Sequence, residues 1–196
     1  IHKNIPIGAG LGGGSANAAA VIRAIKDLLK LHISEEDELS IAKSIGADVP
    51  FCLYNIPSRS EGIGEKLTPI IVKKDYYVLI IKPKRGLSPK EVYSKYDEVG
   101  SSSNPQVDKL IENLKQGNTD DIPNCFGNDL ENASISLLPE IQDIKDLLKN
   151  CGFNIVLMSG SGSSVFALSE NKHMVEKEAK ILEKKGYNVF VTKILN

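Results

Sequence analysis

The sequence predicts an α+β protein, and three observations carry that reading. Beyond about residue 75 the apolar periodicities run strand, helix, strand, strand, helix, strand. That is the order of a ferredoxin-like split βαβ unit, here with further helices inserted. Ahead of it, a glycine-rich stretch opens directly into an amphipathic helix. Between the two, residues 58–73 turn polar and glycine-punctuated, which places a soft boundary near residue 75 and divides the chain into segments 1–75 and 76–196.

The elements follow in order. Over residues 16–31, Ala18, Val21, Ile22, Ile25, Leu28 and Leu29 recur at helical spacing, with Arg23, Lys26, Asp27 and Lys30 elsewhere. Ser34, with Asp37 three residues on, caps a second helix that runs to about Ile45 and stops at Gly46. Val49 to Tyr54 reads as a short strand, and residues 58–73 as a hairpin or two strands around glycines. The run YYVLIIK, residues 76–82, is a buried strand closed by Pro83. Helices are expected at 89–97, 106–115, 127–134 and 138–150, with polar turns between them, including the serine-rich 100–105. Then come strand 153–158, a glycine turn at 159–163, strand 164–169, helix 172–185 and strand 187–194.

Composition narrows the function classes. At 41 % hydrophobic and 25 % charged residues, the chain matches an ordinary globular protein. A net charge of −1 with interspersed signs speaks against nucleic acid as the main partner, since binding a phosphate backbone normally leaves a basic surplus. The lysines of residues 172–185 read as a solvated face. Cys52, Cys125 and Cys151 are scattered, without a CxxC, and read as reduced thiols of a cytoplasmic protein. His2, His32 and His173 are equally isolated, so no zinc-type cluster is expected. There is no apolar run of membrane-spanning length and no signal-peptide pattern.

Three constellations could carry chemistry. The first is Pro6, Ile7, Gly8, Ala9, Gly10, Leu11, Gly12, Gly13, Gly14, Ser15, Ala16, in which five glycines fall within seven residues. Backbone amides feeding the positive end of a helix make an anion cradle, and the expected anion is phosphate. Residues 8–13 satisfy GxGxxG literally, but Pro6 sits where the preceding strand should be, and a helix follows where a second strand should. A Walker loop is ruled out by the lack of GK[ST]. A connector serving packing alone would be weakened by that much glycine for no gain. A different nucleotide-phosphate loop remains. The second is Asp48 in GADVPF, whose plain reading is a cap or turn residue. Between a glycine stop and an apolar segment it could also serve as general base or orienting acceptor for a substrate hydroxyl. The third is Met158–Val165, MSGSGSSV, either a hairpin turn or a second phosphate-facing wall. Asn128 is expected to be a helix cap, and Gly62 and Gly64 a hairpin bend.

These features together resemble a known family. PIGAGLGGGSANAA resembles the ATP loop of the galactokinase–homoserine kinase–mevalonate kinase–phosphomevalonate kinase (GHMP) superfamily, and SGSGSSVFA its C-terminal glycine motif. Within it, the triple glycine before Ser15, GADVPF, EGIGEKLTPI and GNDLE are most similar to the 4-diphosphocytidyl-2-C-methyl-D-erythritol kinases. The resemblance implies a GHMP kinase fold: part of an N-terminal ATP-binding lobe, then a ferredoxin-like C-terminal lobe. It implies ATP and Mg²⁺ as cofactors, and phosphorylation of the 2-hydroxyl of diphosphocytidyl-methylerythritol in the non-mevalonate route to isoprenoid precursors. By the same resemblance Pro6 to Ala16 hold the ATP phosphates, Ser15 touches phosphate or Mg²⁺, and Asp48 is the catalytic aspartate. Gly160, Ser161, Gly162 and Ser163 flank the substrate, and Tyr93 stacks on cytosine. The plainer reading of Tyr93 is a helix residue facing the core.

Two departures stand out. Ser88-Pro89 replaces the Ser-Thr of many relatives. The chain also begins at Ile1, without an initiator methionine, and reaches the glycine loop almost at once, so a truncated or processed chain is expected. The family's N-terminal segment bears a lysine that partners the aspartate, and a chain without it is expected to be severely impaired alone. The alternatives are another small-molecule kinase, of homoserine or mevalonate type, and a non-catalytic nucleotide-binding domain.

Overall fold

The structure, a computed structural model, describes residues 4–195, so Ile1 and His2 lie outside the described residues. The chain forms two compact units. One runs from Gly12 to Ile71, and the other combines residues 4–11 with 72–194.

In the first unit, α1 (Gly13–Leu28), α2 (Glu35–Ile45) and α3 (Val49–Tyr54) surround a small core. Ala19 and Ala42 are fully buried beside Val49, with Ala18, Ile22, Cys52 and Leu53 against them. Small residues at this crossing let the helix backbones approach closely. The Ser34 hydroxyl accepts the Asp37 N–H at 3.1 Å, as the cap pattern requires. Arg23 donates from Nη1 to the carbonyls of Cys52 and Leu53, both at 3.1 Å, satisfying acceptors left open at the end of α3. A hairpin follows, β1 (Ser58–Glu61) antiparallel to β2 (Lys66–Pro69).

The expected strand at 49–54 is instead the helix α3. Six apolar residues fit a short buried helix as well as a strand, because periodicity cannot separate them at that length. Pro50 settles the matter: it suits the first turn of a helix, where its missing N–H costs nothing. The start of α1 also moves forward, to Gly13, inside the glycine run.

In the second unit, β3 (Tyr77–Lys82) is followed by α4 (Pro89–Val99), α5 (Val107–Gln116), a 3₁₀ turn (Thr119–Asn124), α6 (Glu131–Leu137) and α7 (Glu140–Asn150). Then come β4 (Ile155–Met158), β5 (Val165–Ser169), α8 (Lys172–Lys184) and β6 (Asn188–Lys193). The sheet order is β4-β5-β3-β6, with every pairing antiparallel, which is the ferredoxin-like arrangement. β3 is central and covered on both faces. Leu79 and Ile81 pack with Val92, Ile141, Leu148 and Leu182 on one face. Val78 packs with Ile122, Ile155 and Leu168 on the other, under α5 and the 3₁₀ turn. A strand buried on both faces reads as a continuous apolar run, which explains YVLIIK. Among the described residues no helix is long and apolar enough to cross a membrane.

Leu79 is fully buried at the middle of this sheet, opposite Ala167 and Val191. Leu79→Ala should therefore cost about 3 kcal/mol, read as a lower denaturant midpoint at unchanged slope.

Candidate functional site: two glycine turns and an open helix end

In the second unit, residues 8–10 lie backbone to backbone against the turn that joins β4 to β5. The Gly8 carbonyl accepts the N–H groups of Leu87 (3.3 Å) and Ser163 (3.4 Å), and the Ala9 carbonyl accepts that of Ser164 (3.2 Å). The Ser159 hydroxyl donates to the Gly10 carbonyl at 2.8 Å. A β-carbon on Gly10 would lie 2.0 Å from the Ser159 carbonyl oxygen, and the residue's φ is +69°. Only glycine meets both demands. Residues 8–10 of the first constellation and the turn of the third are thus one structural feature.

A shell of side chains holds the turn. Asn128 donates from Nδ2 to the carbonyls of Met158 (3.0 Å) and Gly160 (2.8 Å), while its Oδ1 accepts the Leu130 N–H at 3.0 Å. Glu131 accepts the Met158 N–H at 2.9 Å and pairs with Lys145 at 2.5 Å. Ser134 donates to the Ser161 carbonyl at 3.2 Å. Asn128 therefore does more than the local capping expected of it, since its amide end pins the glycine turn. Glu131 and Ser134 were not legible as partners; GNDLE was the signal available.

Sequence-derived residues of the turn divide by exposure. Gly160 is exposed and Ser161 is half-buried, whereas Gly162 and Ser163 are buried. The Ser163 hydroxyl donates to the Arg85 carbonyl at 2.8 Å, so this side chain serves the turn and does not present a hydroxyl to a ligand. The Ser164 hydroxyl is buried without a hydrogen-bond partner among the described residues.

In the first unit, Gly12 precedes α1 and receives the Ala16 N–H at 2.9 Å. No side chain caps this helix end and no acidic residue lies in its first turn. β-carbons placed on Gly12 or Gly14 would meet nothing within 4 Å. First-turn amides without intrahelical partners, an open approach and no competing carboxylate together fit an anion. Ser15 is in this first turn, half-buried.

Asp48 stands immediately before α3 and is exposed. It lies in a turn at the N-cap position, as its plain reading as a cap or turn residue expects; its carbonyl accepts the Cys52 N–H at 3.1 Å, while its side chain makes no cap hydrogen bond. One turn on, the Cys52 thiol is held above its ordinary pKa, first by burial and then by the Asp48 charge, with Arg23 opposing. On α4, Tyr93 is 57 % exposed, so its ring is not core. Ser88-Pro89 opens that helix: Pro89 takes the first position, and the Ser88 N–H donates to Glu91 at 3.3 Å. Among the described residues no group of three or more His, Cys, Asp or Glu could hold a metal ion by itself.

Comparison with known proteins bears on the family and the fold. The family described as GHMP kinases N terminal domain matches residues 1–55, and GHMP kinases C terminal matches residues 110–188. A 4-diphosphocytidyl-2-C-methyl-D-erythritol kinase of Desulfitobacterium hafniense is 40 % identical over 193 residues, covering 98 % of this chain and 67 % of the relative. One of Clostridium beijerinckii is 37 % identical over 195 residues, covering 100 % and 70 %. The chain thus spans about two thirds of these relatives' length. A crystal structure of 4-(cytidine 5'-diphospho)-2C-methyl-D-erythritol kinase superposes with TM-score 0.81 at 29 % identity, over 98 % of this chain and 68 % of that one. Homoserine kinase from Cytophaga hutchinsonii shares the fold, with TM-score 0.80 at 24 % identity over the same shares of the two chains.

Gly10 and Gly14 should respond oppositely to a methyl group. Gly10→Ala should destabilise by at least ~2 kcal/mol and speed hydrogen exchange of the Ser164 amide that Ala9 holds. Gly14→Ala, helical and unobstructed, should raise stability by about 0.5–1 kcal/mol in thermal unfolding.

Proposed function

The chain belongs to the 4-diphosphocytidyl-2-C-methyl-D-erythritol kinases of the GHMP family, which are small-molecule kinases, and from that premise we propose its substrates and the roles of its residues. The reaction is transfer of the γ-phosphoryl group of ATP to the 2-hydroxyl of 4-diphosphocytidyl-2-C-methyl-D-erythritol. The observation that carries the phosphate site is the start of α1, an uncapped helix end without an acidic first turn and opened by unobstructed glycines.

Phosphoryl transfer asks a protein mostly for positioning and charge neutralisation. The backbone of Pro6 to Ala16 supplies amides for the triphosphate, aided by the positive end of α1. The Ser15 hydroxyl is placed to donate to a phosphate oxygen or to offer its oxygen to Mg²⁺, a hard cation that prefers such ligands. Bound Mg²⁺ offsets negative charge on the transferring group. Asp48 accepts the proton of the substrate hydroxyl, whose oxygen then bonds to the γ-phosphorus as the bond to the β–γ bridging oxygen breaks and ADP leaves. The exposed ring of Tyr93 offers a face for the pyrimidine, and Gly160 and Ser161 offer polar groups to the substrate.

The test uses the intact protein with three alcohols: diphosphocytidyl-methylerythritol, homoserine and mevalonate. Turnover is expected with the first. Asp48→Asn should lower kcat about 10²–10⁴-fold while leaving the Kd for Mg·ATP within about threefold. Preference for another alcohol would overturn the substrate, and an undiminished Asp48→Asn enzyme would overturn the base.

A further inference from the structure

We propose that Lys82 is a positioning residue that locks the phosphate-binding backbone by closing a ring of hydrogen bonds around Gly8. The inference rests on the proposed role of the glycine run in holding nucleotide phosphates.

Lys82 ends the central strand β3 and is only 6 % exposed. Its ammonium donates to the carbonyls of Pro83 (2.5 Å) and Arg85 (3.0 Å), both in the turn that follows the strand. The Arg85 carbonyl also accepts the Ser163 hydroxyl at 2.8 Å. Ser163 donates its N–H to the Gly8 carbonyl, which accepts the Leu87 N–H as well. The ring is complete: Lys82 to Arg85, Arg85 to Ser163, Ser163 to Gly8, Gly8 to Leu87, and Leu87 back along the chain to Lys82.

A buried ammonium is costly, and packing alone would favour an apolar residue at this strand end. Burial also pushes the Lys82 pKa below the ordinary lysine value, with the Glu140 charge acting against the shift. What the ammonium supplies is several diverging hydrogens, enough for carbonyls that bend toward one point. Without them the Arg85 carbonyl loses a partner, the 83–87 turn relaxes, and Gly86 can withdraw from Gly8. A β-carbon on Gly86 would sit 2.9 Å from the Gly8 carbonyl oxygen, which shows how close that approach is.

The experiment measures Mg·ATP binding by calorimetry at a temperature where each protein is folded by circular dichroism. Lys82→Met keeps the apolar stem and removes the donors. Gly14→Ala places a methyl in the open helix end, outside the Lys82 ring. Both should weaken binding, Lys82→Met about tenfold, with faster hydrogen exchange at the Leu87 and Ser163 amides. In steady state Lys82→Met should raise KM for ATP and leave KM for the alcohol unchanged. If Gly14→Ala weakens binding while folded Lys82→Met melts earlier but binds normally, Lys82 is a stability residue and the inference falls alone. If the parent protein does not bind Mg·ATP, or neither variant changes binding, the phosphate-loop reading falls and the inference with it. If Lys82→Met does not fold, Ser163→Ala decides. Losing the hydroxyl that shares the Arg85 carbonyl should weaken binding about threefold and speed Leu87 exchange, and native values for both would overturn the proposal.

Discussion

The close approach of Gly10 to the Ser159 carbonyl is the constraint on which the second unit's functional end depends. Two segments 149 residues apart meet backbone to backbone, joined also by the Ser159 hydroxyl. Such a contact cannot adjust by repacking, because there is nothing to repack. It fixes glycine at position 10, and it fixes the path of the turn from 159 to 164. It also turns several carbonyls inward, those of Met158, Gly160, Ser161 and Arg85, and each is met by a side-chain donor. A buried carbonyl left unmet would cost about 1–3 kcal/mol, so the donors are as much a part of the site as the glycines are.

The sheet explains why these donors converge. Ile81 of β3 stands opposite Val165 of β5, and Met158 of β4 stands opposite the same Val165. Strand ends in register bring the turn after β3 and the turn between β4 and β5 to one end of the sheet. Lys82 and Ser163 then share the Arg85 carbonyl with no long excursion of either chain. α6 and the residues before it supply the remaining support through Asn128, Glu131 and Ser134. The rigidity of the turn therefore comes from the apolar faces of β3, transmitted through strand register into hydrogen bonds.

What the sequence made legible follows the reach of each signal. The strand–helix order of the second unit is written in long apolar runs and in Gly and Pro stops, and the sheet follows from it. The Ser34 cap is likewise local, and so was visible. α3 was not, because six apolar residues carry no period. Residues 159–163 could be read as a hairpin turn or as a phosphate-facing wall, and pattern alone could not show that the turn is folded inward onto residues 8–10. Asn128 looked local because its Leu130 bond is local, while its two bonds to the turn cross 30 and 32 positions of sequence. Position in the chain carries no record of such pairings. The family resemblance marked most of the relevant segments; it could not say which groups face a ligand and which face one another.

The glycine run itself separates these two kinds of demand. Gly8 and Gly10 are required by the protein: each meets neighbouring backbone, and at Gly10 a β-carbon is excluded outright. Gly12 and Gly14 meet nothing, and Gly14 lies inside α1, where alanine would hold the helix better by about 0.5–1 kcal/mol. No contact in the first unit accounts for that cost. The proposed phosphate would account for it, because a methyl there would stand between an anion and the amides. Gly8 and Gly10 are thus explained by backbone contacts in the second unit, and Gly12 by its left-handed φ of +60°, whereas Gly14 has no such structural need. That difference, rather than the number of glycines, is the physical argument behind the proposed anion site at the start of α1.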